Sequence, residues 1–267
     1  ISTMAGKGDY IVLDIDSHAS IWDGCKLGDA EVVPFKHNDI EHLKSLLNSE
    51  DNHLVVTEGV FSMDGDCAPL ADIADVTVNH DAWLAVDDAH GIGVLGESGG
   101  GSCELAAFKP EILIVTFGKA FGMSGAAILC DHATGDFLTQ FARHHVYSTA
   151  MPPAQAYALT HAVSMVQEQS WRREKLTELS EVYRDSLSDV EGFVETQTSI
   201  KPFVIGESDL ALRVAGACRQ NGIWVTAIRP PTVPKGTSRL RITLTANHTN
   251  EQVKTLSMAL KQALGTQ

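Results

Sequence analysis

Lys119 stands between two glycines in VTFGKAFG, residues 115–122, directly after the apolar run ILIVT. A lysine so placed either snorkels to water or is held because its amine reacts. Asp87 and His90 lie in DDAH at the end of a second apolar run, WLAV, and His18 follows a third, YIVLD. In open α/β sheets, ligands gather beyond the carboxyl ends of the strands. An acid, two imidazoles and an amine at such ends match the needs of one cofactor, pyridoxal phosphate (PLP). PLP wants a lysine that holds it covalently and an acid that keeps its pyridine nitrogen protonated. It also wants a donor at the ring oxygen, a flat group on the ring face and hydroxyls around the phosphate. This reading assigns Lys119, Asp87, His90, His18 and Thr116. Taken singly, each has a plainer explanation: a solvated lysine, aspartates in a turn, a histidine that begins a helix. Their order, each beside a strand end, carries the reading. For Lys119 to serve as a base it must shed its proton, which burial favours.

Those residues need elements to position them. Short apolar runs read as strands at Tyr10–Asp14, Val32–Phe35, Leu54–Thr57, Trp83–Asp87 and Ile112–Thr116. Helical patterns alternate with them: His18–Leu27 capped by Ser17, a stretch capped by Asn38 and ending at Leu47, and Leu70–His80. This alternation predicts an α/β fold with a parallel sheet covered on both faces. From Pro152 the character changes. A long helical region runs through Gln169 to about Val190. A strand at Phe203–Ile205, a helix at Asp209–Asn221, strands at Trp224–Thr226 and Leu240–Leu244, and a helix at Asn250–Leu264 follow. We therefore expect a large domain over 1–168 and a smaller α+β domain over 169–267.

Gly91-Ile-Gly93-Val-Leu-Gly96 satisfies the G-x-G-x-x-G pattern of dinucleotide sites. That motif must open a helix. Here Glu97-Ser98 and three glycines follow, which cannot start one well, so the glycines are expected to shape a loop.

The chain has 267 residues, 44% of them hydrophobic, and a net charge of −14. Such acidity argues against nucleic acid and anionic lipid as partners. No run approaches the length of a membrane span, and the first residues do not read as a signal peptide. The five cysteines are odd in number, dispersed and without a CxxC, the habit of a reducing, cytoplasmic compartment. No metal site is expected.

Six stretches together resemble the α-oxoamine synthases, a group of fold-type I PLP enzymes. They are SHAS (17–20), VVTEGVFSMDGD (55–66), VDDAHGIGVLG (86–96), VTFGKAFGMSGAA (115–127), YSTAMPPAQA (147–156) and IRPPTVPKGTSRLRITLTA (228–246). The resemblance covers essentially the whole chain. It implies a fold-type I PLP-transferase: a mostly parallel sheet flanked by helices, with a smaller C-terminal α+β domain. It implies that Lys119 carries the cofactor and moves the substrate Cα proton, that Asp87 meets the ring nitrogen, and that His18 stacks on the ring near the substrate. His90 and Ser62 would reach the ring oxygen and Thr116 the phosphate. Ser148 and Thr149 would reach the phosphate of a partner subunit, making the active site shared in a homodimer. Arg241 would grip the amino-acid carboxylate, and Thr232 would line the substrate site. Arg241 alternates with Leu240 and Ile242, so its side chain points away from theirs.

Within that family the chain looks most like the branch that condenses L-alanine with a pimeloyl thioester, of CoA or a carrier protein, with loss of CO2. Three rival readings remain: glycine with acetyl-CoA, a non-catalytic truncated fragment, and a nicotinamide oxidoreductase using GIGVLG. Relatives also carry an N-terminal segment, with a glycine-rich turn at the phosphate, ahead of the stretch that resembles residues 1–267. The expectation is that activity belongs to the longer form.

Overall fold

A strand buried on both faces of a sheet reads as an unbroken apolar run, and HLVVTE is buried from end to end. In the computed structural model, which describes residues 1–48 and 51–265, this run is the middle of the main sheet. The described chain divides into two compact units. The first comprises Ile1–Phe61 and Cys67–Gln169, the second Ser62–Asp66 and Ser170–Gln267.

In chain order the first unit contains β1 (Tyr10–Asp14), α1 (Ala19–Lys26), β2 (Glu31–Phe35), α2 (Ile40–Leu46) and β3 (His53–Glu58). Then come α3 (Leu70–Asn79), β4 (Trp83–Asp87), α4 (Ser102–Leu105), β5 (Ile112–Thr116) and β6 (Ala126–Leu129). It ends with α5 (His132–Phe141), α6 (Arg143–Val146) and α7 (Pro153–Glu168). The sheet order is β2-β1-β3-β4-β5-β6. The first five strands are parallel, and β6 pairs antiparallel with β5. Side chains alternate across it. Val55 faces one core with Leu84 and Ile73, while Leu54 and Val56 face the other with Ile11 and Leu13. The chain leaves β1 for β2 on one side and returns to β3 on the other. The strand order therefore reverses between β1 and β3, where such sheets open a crevice at their carboxyl ends.

The second unit contains α8 (Trp171–Leu187), β7 (Ile200–Gly206), α9 (Ser208–Gln220), β8 (Thr226–Ile228), β9 (Ser238–Thr243) and α10 (Asn250–Leu264). Its strands form an antiparallel sheet, β7-β9-β8, around Phe203, Leu240, Tyr183 and Leu260. The 62–66 segment joins this unit through Asp64, paired with Arg239, and through Gly65, whose carbonyl accepts from Thr198 Oγ1 at 2.7 Å. Asp64 is thus an anchor of the segment.

Several expectations need correction. The cap of α1 is His18, not Ser17, because His18 Nδ1 accepts from the Ser20 N–H at 3.2 Å. Asp39, not Asn38, caps α2, since its carboxylate accepts from the His42 N–H at 2.9 Å. Asn38 instead takes a left-handed turn, with φ of 54°. The long helical region is two helices, with a break around Gln169 and Ser170. The strand expected at Trp224–Thr226 begins only at Thr226, and Trp224 is 75% exposed. The strand β6 and the short helices α4 and α6 carry too few residues to show a period.

Candidate active site

Four neighbouring strands, in the order β1-β3-β4-β5, bring the first unit's candidate residues to one edge. Asp87 ends β4, in register with Glu58, which ends β3. Parallel partners in register point to the same face, so the two carboxyls are neighbours. Thr116 ends β5, and Lys119 sits in the turn beyond it, where the Gly122 N–H closes on the Lys119 carbonyl at 3.0 Å. His18 follows β1.

The charges of Lys119 and His18 both act on Asp87, so amine, imidazole and carboxyl share one site. Burial is the largest influence on Asp87 and raises its pKa; the Ala89 N–H, donating to Oδ1 at 3.0 Å, and those two cations oppose the rise. Burial raises Glu58 further, to about 8, with the charges of Asp87 and Asp14 adding to it. The imidazole of His18 is fixed by its own cap. Its Nδ1 accepts from the Ser20 N–H and lies 2.9 Å from the Ser20 hydroxyl, which holds the ring against the start of α1. Lys119 itself is exposed, contrary to the burial expected of it, because the turn after β5 turns its side chain toward solvent rather than into either core.

Thr116 fits a phosphate in a direct way. Its Oγ1 is buried and has no hydrogen-bond partner among the described residues. A buried hydroxyl left unpaired costs about 1–3 kcal/mol, which a bound anion would relieve. The same holds for Arg241 in the second unit. It lies on β9 between Leu240 and Ile242, both nearly sealed, and its buried Nε has no partner among the described residues. Burial lowers the pKa of its guanidinium. A carboxylate would satisfy it. His90 is half-buried in the first unit, and Ser62 is half-buried in the second. Ser148 and Thr149 are exposed just after α6, where the Ser148 hydroxyl donates to the His144 carbonyl. Thr232 is exposed in a turn, its N–H on the Arg229 carbonyl at 3.0 Å.

The first GIGVLG glycine, Gly91, makes room for a neighbouring acid, Asp88. Asp88 is fully buried and accepts from Ser102 Oγ at 2.6 Å and Ser102 N at 2.9 Å. A Cβ at Gly59, Gly91 or Gly101 would overlap its carboxylate. Glu104 holds the far side of the loop through the N–H groups of Ser98 and Gly100, at 2.9 and 2.6 Å. No helix begins until Ser102, so the loop is not a dinucleotide fingerprint. Sequence reading passed over Asp88 as a member of this anchor, and over Glu58. For Glu58 the signal was present: HLVVTE closes on an acid as WLAVD does.

Fold and site define a fold-type I, PLP-dependent type of transferase. A family model for aminotransferase class I and II matches residues 1–260. The chain is 82% identical over 263 residues to the 8-amino-7-oxononanoate synthase of Vibrio campbellii, covering 98% of this chain and 69% of that one. The serine palmitoyltransferase of S. paucimobilis, with a bound PLP–myriocin aldimine, superposes with a TM-score of 0.93 at 32% identity, over 98% of this chain and 68% of that one. The crystal structure of 8-amino-7-oxononanoate synthase from Francisella tularensis gives 0.87 at 29%, over 99% and 78%. The chain belongs to the aminotransferase class I and II family and, within it, to the 8-amino-7-oxononanoate synthases.

Proposed function

We propose that this chain, with PLP, condenses L-alanine with a pimeloyl thioester, releasing CO2 and the thiol, to give 8-amino-7-oxononanoate for biotin biosynthesis. One observation carries the reading. A lysine, an aspartate and a capped histidine lie at or just beyond the carboxyl ends of β5, β4 and β1 in one parallel sheet, in a chain 82% identical to a protein of that name. Bound PLP supplies the electron sink that makes the amino-acid Cα–H acidic. Lys119 Nζ would hold the cofactor and, when free, would take the Cα proton of the amino acid and return it. Asp87 would keep the ring nitrogen protonated, and His18 would stack on the ring. His90 and Ser62 would serve as donors to the ring oxygen, and Thr116 Oγ1 as a donor to the phosphate. Arg241 would take the substrate carboxylate, and Thr232 would line the acyl side.

We assign Ser148 and Thr149 to the phosphate of a second subunit, in a homodimer. The exposed Tyr147, Tyr157 and Phe141, at 79, 81 and 61%, supply an apolar face for it. A cytoplasmic location agrees with five cysteines that are dispersed and form no CxxC. No helix among the described residues is long and apolar enough to cross a membrane.

The test is the visible spectrum of the chain with PLP, before and after L-alanine, followed by a substrate panel. Expected are a bound-cofactor band that shifts with alanine and turnover with pimeloyl-CoA. Turnover with glycine and acetyl-CoA alone would overturn the substrate assignment.

A further inference from the structure

Glu58 has no part in the scheme above, yet it sits at the centre of the site. The residue is 4% exposed, and its Oε1 accepts from the backbone N–H of His18 at 2.6 Å. Residues 18 and 58 lie on either side of the point where strand order reverses. The imidazole of His18 is fixed to its own backbone through Ser20, so whatever holds the N–H of residue 18 holds the ring. On the other side Glu58 stands in register with Asp87, and the Gly59 N–H donates to the Asp87 carbonyl at 2.8 Å.

The charged groups acting on Glu58 are Asp14 from β1, Asp87 from β4 and Lys119 beyond β5. Asp14 is fully buried but well supplied, with His37 Nδ1 and the N–H groups of Asp16 and Asn38 each at 2.9 Å. Asp87 has the Ala89 N–H and the nearby charges of Lys119 and His18. Among the described residues, the Glu58 carboxyl has only the His18 N–H as a hydrogen-bond donor. Glu58 and Asp87 each have one backbone N–H donor and both feel the charge of Lys119, but Glu58 is buried where Asp87 is only half-buried, which favours the neutral form of Glu58.

We propose that Glu58 is a positioning residue of this active site. As a neutral acid it anchors the backbone and imidazole of His18, and it leaves Asp87 as the carboxylate of the pair. The burial that lifts its pKa to about 8 agrees with this. The inference rests on the PLP reading for its catalytic meaning but not for its test.

The experiment compares wild type, Glu58→Gln and Glu58→Leu in the full chain. Without cofactor, the infrared difference between wild type and Glu58→Gln at pH 7 should show a protonated carboxylic acid. The His18 amide proton should resonate as a strongly bonded one in wild type and Glu58→Gln, but not in Glu58→Leu. With PLP, Glu58→Gln should bind as wild type does. Glu58→Leu should bind about tenfold more weakly, the size of one lost hydrogen bond, with a displaced absorption band. A carboxylate signal at pH 7, or an unchanged His18 resonance in Glu58→Leu, would overturn the proposal. So would a Glu58→Gln protein as impaired as Glu58→Leu. If Glu58→Leu does not fold, the infrared band and the Glu58→Gln resonance still decide. If wild type takes up no PLP, the PLP reading fails while these cofactor-free measurements still decide Glu58.

Discussion

Glu58 and Asp87 occupy matching register positions on neighbouring parallel strands, with burial raising the pKa of both. A group whose folded pKa lies above its unfolded value contributes stability that is full below the unfolded pKa. That contribution is lost as pH rises through the folded one. For Glu58 the window runs from 4.5 to about 8. Unfolding free energy should therefore fall across this window, by at most about 1.4 kcal/mol per pH unit from this group. Urea denaturation at stepped pH should show a flatter profile for Glu58→Gln. Parallel profiles for the two proteins would refute the assignment.

Lys119→Ala should remove covalent capture of PLP. Borohydride reduction followed by intact mass should find the cofactor adduct in wild type and none in the variant, with turnover reduced by at least about 10²-fold. Because Lys119 is exposed, thermal stability should change by no more than about 0.5 kcal/mol.

Thr116→Val should separate binding from folding. The Oγ1 it removes is buried and unpaired among the described residues, so the variant should be as stable as wild type or slightly more so. PLP affinity should nevertheless fall about tenfold. Equal affinity by fluorescence titration would remove Thr116 from the phosphate site.

Gly101→Ala places a methyl group on the Asp88 carboxylate, at a residue whose φ is 87°. Asp88 must then yield Ser102 or the loop must move. We expect a loss of about 2–4 kcal/mol in denaturant melts. A neutral result would show that the loop relaxes freely.

Arg241→Lys keeps a charge but loses the planar fork. KM for L-alanine should rise about tenfold or more, while PLP affinity stays near wild type. An unchanged KM would take Arg241 out of carboxylate recognition.

Much of this was legible in the sequence, for a physical reason. The runs YIVLD, WLAVD and ILIVT are strands flanked by packed helices, so their apolar character decides them, and their bounds match the strands residue for residue. The caps were less legible. Ser17 is a good cap by type, but the ring nitrogen of His18 reached the Ser20 N–H instead, and the Ser17 hydroxyl is buried without a partner among the described residues. The resemblance marked His18, Asp87 and Lys119, which the structure draws together at one edge. It gave no role to Glu58, although Glu58 closes the run HLVVTE as Asp87 closes WLAVD. The exposure of Lys119 was also hidden, since a turn between glycines does not reveal which way its side chain leaves.

The strand order of the main sheet works as a ruler. Glu58 and Asp87 end the neighbouring rungs β3 and β4, His18 and Lys119 sit in the connections that follow β1 and β5, and neighbouring rungs are about 4.8 Å apart. From β1 to β5 that is three intervals, about 14–15 Å between the strands themselves, set by backbone hydrogen bonds. Sequence drift in the connecting helices can therefore tune what each rung holds without altering the spacing between rungs. Exchanging a residue along one strand shifts a single mark on the scale. Slipping the register of one strand would turn every mark on it to the opposite face.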